Sequence, residues 1–214
     1  MLVHGKAGPV RPKPASASNL LSTFAETWAS DRVRLTDIVD VLEERVYGLL
    51  LLIFAIPNAI PNPIPGITAI LGLPLVLISA QLVLGRSRPW LPAWIGDRSI
   101  ATEDFRRFVR QADPWLKRME RMLTQRASFV FTPTGERMLA AVVLVMALVL
   151  TLPIPLANLL PAISICLIAL ALIEFDGLVA AIGVAMAAVS MVVASGVVYG
   201  FAKIGFYLVR QAFN

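Results

Sequence analysis

Apolar and polar positions divide this chain into blocks. Residues 19–30 place Leu20, Leu21, Phe24 and Trp28 on one face at helical spacing. Thr36, followed by Asp37, reads as the N-cap of a second helix in which Ile38, Leu42, Val46 and Leu49 keep that spacing. Its polar positions, Asp40, Glu43, Glu44 and Arg45, stop at residue 45, so this helix is expected to start at a membrane surface and run inward. From 46 to 84 the chain is apolar around a proline-dense bend. The arm before Pro57 is too short to cross a hydrocarbon core that needs about 20 residues. The block therefore reads as a helical hairpin, or as a re-entrant segment followed by a spanning helix. Residues 137–174 repeat the arrangement of apolar arm, break and apolar arm. Residues 177–201 then run 25 positions without a charge, long enough to span a bilayer with some tilt.

The two breaks match at a fixed offset of 96 positions. Pro57, Asn62, Pro65 and Ile67 recur as Pro153, Asn158, Pro161 and Ile163, while Gly66 and Thr68 become Ala162 and Ser164. The predicted fold class is all-α: a polytopic membrane protein with two repeated proline-broken helical hairpins, a basic amphipathic connector and a long C-terminal transmembrane helix. Residues 1–18 read as a disordered tail and 19–214 as a single membrane domain. Within it lie repeat 1 (36–85), the connector (86–135), repeat 2 (136–177) and the final helix (178–201).

Composition agrees with that class. Apolar residues make up 57% of the 214, and the mean hydropathy is +0.76, both far above soluble usage. Continuous rather than alternating apolar runs disfavour a β-barrel. The amino terminus lacks the apolar core of a secretory signal. One cysteine, Cys166, excludes an internal disulfide, and with His4 as the single histidine the His/Cys zinc sites and His-based triads lack residues. No metal, no cofactor and no catalytic set is expected, and the chain does not read as an enzyme.

Residues 86–138 carry eleven Arg or Lys against six Asp or Glu. Thr102-Glu103-Asp104 is expected to open a helix, and Asp113-Pro114 to end it and cap another. Phe105, Phe108, Val109, Ala112, Leu116, Met119 and Leu123 keep one apolar stripe, opposed by Arg106, Arg107, Arg110, Lys117, Arg118 and Arg121. Such a helix lies in the headgroup region; the alternative is a helical pair packed on its own protein. Excess positive charge beside apolar spans places the connector in the cytoplasm and removes the need to invoke nucleic acid. Both ends of the first block are basic, which favours hairpins entering from one side; entry from opposite sides with an extra crossing stays open.

Chemistry concentrates at the breaks. Proline removes a donor and frees carbonyls that lipid cannot satisfy. A fresh helix then begins near Ile67 or Ile163 with free N–H groups and a positive dipole end, which attracts an anion. Asn62 and Asn158 can cap these ends or bind a ligand, Thr68 and Ser164 add hydroxyls, and Pro65-Gly66 and Pro161-Ala162 shape the turn. The competing reading is a pair of kinks whose asparagines only satisfy backbone. Glu174 and Asp176, set in apolar sequence, are proton-coupling candidates if submerged and solvated ends if not. Arg86 and Arg88 are basic candidates for guiding a phosphate, or snorkelling anchors.

The motif Pro-Asn-x-x-Pro-x-Pro-x-Pro-Gly from Pro57 resembles the ExoD family of bacterial exopolysaccharide synthesis membrane proteins. So do Leu73-Pro74-Leu75, Ala80-Gln81, Gly85-Arg86, Pro89-Trp90-Leu91-Pro92 and Glu174-x-Asp176-Gly177. The resemblance covers residues 20–205 and implies a bacterial inner-membrane protein associated with exopolysaccharide production. A looser likeness joins it to DedA-type proteins, which are linked to movement of polyprenyl phosphate carriers. The acidic DedA motif ahead of the prolines is absent here. The expected partners are membrane lipids and an anionic lipid-linked substrate bound between the repeats. Gly183, Ala187, Ser190 and Ala194 form a small-residue stripe suited to packing within the chain or in a homodimer. The alternative function is a non-transporting scaffold or regulator that acts through the connector's basic face.

Overall fold

The computed structural model describes residues 17–42, 45–60, 67–86, 88–90, 99–123, 130–152 and 158–212. In chain order the elements are α1 (Ala17–Thr27), β1 (Arg32–Arg34), α2 (Leu35–Leu42), α3 (Arg45–Ala59), α4 (Ile67–Val83), β2 (Ser99–Ala101), α5 (Thr102–Met122), α6 (Pro133–Thr151), α7 (Leu159–Glu174) and α8 (Gly177–Ala212). The expected helical class holds, with one addition. A two-stranded antiparallel ribbon pairs Arg32 with Ala101, Val33 with Ile100 and Arg34 with Ser99. Three residues per strand give no readable alternation, which is why the sequence pattern did not expose it.

Four apolar helices form the centre. α3 packs along α7, and α4 along α6. Both pairs are antiparallel. At the start of α3, Arg45 meets the end of α7 at Ile173, and one turn on Gly48 lies against Ala169. At the end of α4, Gly85 meets Arg137 near the start of α6, while Gly72 lies against Thr151 near the end of α6. Gly48 is required by this approach, since a Cβ there would stand 2.8 Å from both the Ala169 carbonyl oxygen and Ile173 Cγ1. The interfaces bury Leu51, Ala55, Leu75, Val143, Met146, Leu150, Ile165 and Ile168. α8 runs back along α7, and its small residues Gly183, Ala187, Ser190 and Ala194 are buried. The stripe therefore serves packing within the chain.

The outward faces of these helices stay apolar. Ile53 and Ile56 on α3, Ile70 and Leu73 on α4, Met138 and Leu148 on α6, and Ile182 and Val192 on α8 are all exposed. Two helical stretches, Pro133–Thr151 and Gly177–Gly200, are long and apolar enough to cross a membrane. α3 and α7 are shorter, at about 22 and 24 Å for a rise of 1.5 Å per residue.

A second layer is built from the polar parts of the chain. α1 packs on α5, where Leu21 and Ala25 meet Phe105, Val109 and Leu116 in one buried cluster, and Phe24 sets its ring edge-on to Phe105 at 5.8 Å. This decides between the two readings of the connector stripe: most of it lies against the protein's own helix, and Phe108 alone of its described large residues faces outward. Arg106 also turns inward, donating from Nε to the Ala25 carbonyl at 2.7 Å and from Nη2 to the Trp28 carbonyl, where a cation offsets the negative end of α1.

Three local expectations are corrected. α5 is one helix that runs through Pro114 rather than two. An interior proline costs about 3 kcal/mol, and the burial of Phe105 and Val109 before it and Leu116 after it in one core offsets that cost. Thr36 is exposed and does not cap α2; Asp37 Oδ2 instead accepts from the Arg34 N–H at 2.9 Å. α1 begins at Ala17 with Ser18 buried, inside the expected tail, whose residues 1–16 lie outside the described ones.

Candidate functional site

Polar side chains cluster at each of the two ends of the bundle. At one end the breaks come together. Asn158 Nδ2 donates to Thr68 Oγ1 at 3.1 Å, so the first turn of α4 and the residue before α7 touch. Asn158 makes no side-chain cap on its own helix, contrary to the capping role open to it from sequence, because its amide is turned across to α4. Its Oδ1 is buried and has no partner among the described residues. Asn58, in the last turn of α3, repeats the situation. It is 3% exposed, its Nδ2 donates back to the Phe54 carbonyl, and its Oδ1 is left buried without a partner among the described residues. A buried amide oxygen without a donor costs about 1–3 kcal/mol, so two at one end call for hydrogen-bond donors.

Ser164 takes a different course from its counterpart Thr68. Its hydroxyl donates to the Gly183 carbonyl at 2.8 Å and fixes α8 on α7. Pro161 is buried in the first turn of α7. Asn62, Pro65 and Gly66 lie outside the described residues.

The opposite end is charged. Arg45, 4% exposed, donates from Nη1 to the Ile173 carbonyl at 2.7 Å, stands 3.6 Å from Glu174 Oε1, and lies over the Phe175 ring at 5.3 Å. It caps the carboxyl end of α7, where a cation is favoured. Phe175 adopts the left-handed conformation, φ 55°, that turns the chain between α7 and α8. Asp176, buried, then accepts at Oδ1 from the Leu178 and Val179 N–H groups at 3.0 and 3.3 Å, the geometry of an N-cap on α8. Arg88 pairs with Asp40 at 2.6 Å on the surface. Arg86 lines a cavity of about 180 Å³ with Tyr47, Leu82, Gly85, Pro133, Glu136 and Arg137. Among the described residues, no group of three or more His, Cys, Asp or Glu side chains could hold a metal ion.

A family model described as "Exopolysaccharide synthesis, ExoD" matches residues 17–196. The chain belongs to the ExoD family. Among curated relatives, Protein ExoD of Rhizobium meliloti is 31% identical over 172 residues, covering 78% of this chain and 71% of that protein. An uncharacterized protein of Synechocystis sp. is 32% identical over 170 residues, covering 79% of this chain and 80% of that protein. No solved structure matches the chain.

Several residues of the ExoD resemblance have visible structural work. Gln81, buried at the end of α4, grips the loop beyond it: its Oε1 accepts from the Trp90 N–H and its Nε2 donates to the Trp90 carbonyl. Gly85 has φ 73° and lets the chain leave α4. Of the expected site residues, Thr68 and Asn158 meet. Ser164 turns to α8, and Arg86 and Arg88 lie a helix length away, about 25 Å for the 17 residues of α4. Arg45, Asn58 and Tyr47 were missed. Arg45 and Glu174 are opposite charges at the open ends of the two hairpins, a signal that could have paired them. Asn58 was passed over because its counterpart at the repeat offset is Ile154. Tyr47 carries no signal in an apolar run.

Proposed function

We propose that this ExoD-family protein is a multi-pass protein of the bacterial inner membrane that binds or transports an anionic, polyprenyl-phosphate-type lipid for exopolysaccharide synthesis. The headgroup sits where the two broken hairpins meet. The observation that carries the reading is the Asn158–Thr68 hydrogen bond, which joins the two breaks. The amino-terminal ends of α4 and α7 then share one region and favour an anion. The oxygens of Asn58 and Asn158, which have no partner among the described residues, complement the hydroxyl donors of a lipid-linked sugar or of a protonated phosphate. A shift of 96 residues carries the α3·α7 pairing onto the α6·α4 pairing, as two repeats related by a two-fold along the bundle axis require. Both hairpins then enter from one side.

The exposed apolar faces of α3, α4, α6 and α8 support a lipid surround. The basic connector sets the open ends of the hairpins in the cytoplasm. α8 starts at that face and continues past the breaks, so its carboxyl end emerges on the other side. In this reading α8 spans fully and the hairpins re-enter.

The test is binding of polyprenyl phosphate to protein in phosphatidylcholine nanodiscs. Asn158→Ala, checked for folding, is expected to weaken binding about tenfold, the effect of losing a hydrogen bond to a charged or developing partner. Equal affinity would contradict the site. A scaffold reading is favoured by one feature, the outward face of α5, along which Arg107, Arg110, Arg118 and Arg121 are exposed together with the 62%-exposed Phe108. If that reading holds, Arg107→Glu with Arg118→Glu abolishes polysaccharide production while Asn158→Ala leaves it intact.

A further inference from the structure

At the charged end of the bundle the cavity of about 180 Å³ is lined by side chains from three helices and the turn after α4. A bulk water occupies about 30 Å³, so the space exceeds what one solvent molecule fills. Two guanidinium groups, Arg86 and Arg137, border it, and neither is in an ion pair among the described residues. Tyr47 supplies a third donor. It is 2% exposed, it lines the cavity, and its hydroxyl is buried with no partner among the described residues. Burying a hydroxyl without a partner is unfavourable, and a ligand acceptor in the cavity would remove that penalty.

The backbone is arranged around this group. Gly85 leaves α4 at φ 73°, and the Arg137 guanidinium occupies the space where a side chain at 85 would stand. Any residue but glycine there would push Arg137 away. Pro133 and Glu136 bring the first turn of α6, whose dipole end is positive, to the same wall. Among the described lining residues Glu136 is the single carboxylate, and it has a partner of its own. Two arginines against one carboxylate leave a net charge of one positive unit. Guanidinium forks and a tyrosine hydroxyl match the oxygens of a phosphate group.

We propose that this cavity is a second oxyanion site, selective for a phosphate group held by Arg86, Arg137 and Tyr47. It is separate from the break site and does not rest on the reading of that site. The phosphate could belong to a free ion or to a lipid headgroup, since the cavity lies at the end where basic residues flank the apolar helices.

Calorimetric titration of inorganic phosphate into the full chain in neutral detergent tests the first source. Copurifying phosphatidylglycerol, measured by native mass spectrometry after reconstitution in mixed phosphatidylcholine and phosphatidylglycerol, tests the second. Arg137→Gln and Arg86→Gln should each weaken whichever probe binds by about tenfold or more, as expected for a charge-assisted bond. Tyr47→Phe is the discriminating variant. It should weaken binding several-fold while leaving the unliganded protein as stable as wild type or more so, because it removes a buried hydroxyl that lacks a partner among the described residues. Absence of binding by both probes, or binding indifferent to Arg86 and Arg137, would overturn the proposal.

Discussion

Arg45 shows what a single buried charge does in this protein. Its guanidinium binds the end of α7, faces Glu174 and covers Phe175, so it ties the first hairpin to the second at their open ends. Arg45→Met would leave Glu174 buried without its cation, and breaking a buried pair in this way costs about 3–5 kcal/mol. Unfolding in mixed micelles should show that loss. The double variant Arg45→Met, Glu174→Gln should lie far closer to wild type than the sum of the single changes. Asp176 gives a second prediction at this scale. If it acts through capping, Asp176→Asn keeps stability and polysaccharide production, whereas Asp176→Ala loses about 1 kcal/mol as α8 frays. Loss of production in a stable Asp176→Asn protein would instead point to proton coupling. The types of these residues were readable in the sequence, but their partners were not. Arg45 looks like the last solvated position before an apolar run, and only the antiparallel seating of α3 on α7 makes it a buried one.

Among the elements, the close approach of α3 to α7 is the most sensitive contact. Gly48→Ala places a methyl group against the Ala169 carbonyl, so the helices must separate. Overpacking of this kind costs about 1–3 kcal/mol, measurable by the same unfolding titration, and Ser or Val at this position should be worse. The apolar helices themselves were legible, because unbroken hydrophobic runs and prolines are strong local signals. The connector was less so. Its stripe at helical spacing fits a bilayer surface and a neighbouring helix equally, and the choice depended on α1, whose own apolar face is the complement. Pro114 was read as a boundary, yet Phe105 and Val109 before it and Leu116 after it are buried in one core, which overrides the local preference. The ribbon between Arg32–Arg34 and Ser99–Ala101 joins segments far apart in sequence, which no local pattern can announce.

At the scale of the whole molecule, the account predicts one orientation. The connector and the open ends of both hairpins lie in the cytoplasm, and the end of α8 lies across the membrane. Cysteines placed at exposed Arg118 and Gln211 in a Cys166→Ala background should react with an impermeant maleimide from opposite sides. Labelling of both from the same side would remove α8 as a full span and with it the re-entrant description of the hairpins. The repeat in the sequence pointed to two similar breaks, and Thr68 and Asn158 of those breaks touch in the folded chain. It also grouped Arg86 and Arg88 with them, because distance along α4 does not show as a separation when only residue types are compared. The folded chain has one polar region at the breaks and another at the open ends, about 25 Å apart by the length of α4. The central claim is that the region at the breaks receives the lipid headgroup. Photo-crosslinking with a polyprenyl phosphate carrying the reactive group beside the phosphate, followed by peptide mapping of protein in native membranes, tests it most directly. The account predicts labels in residues 54–70 and 150–165; labels confined to the connector or to the open ends of the hairpins would contradict it.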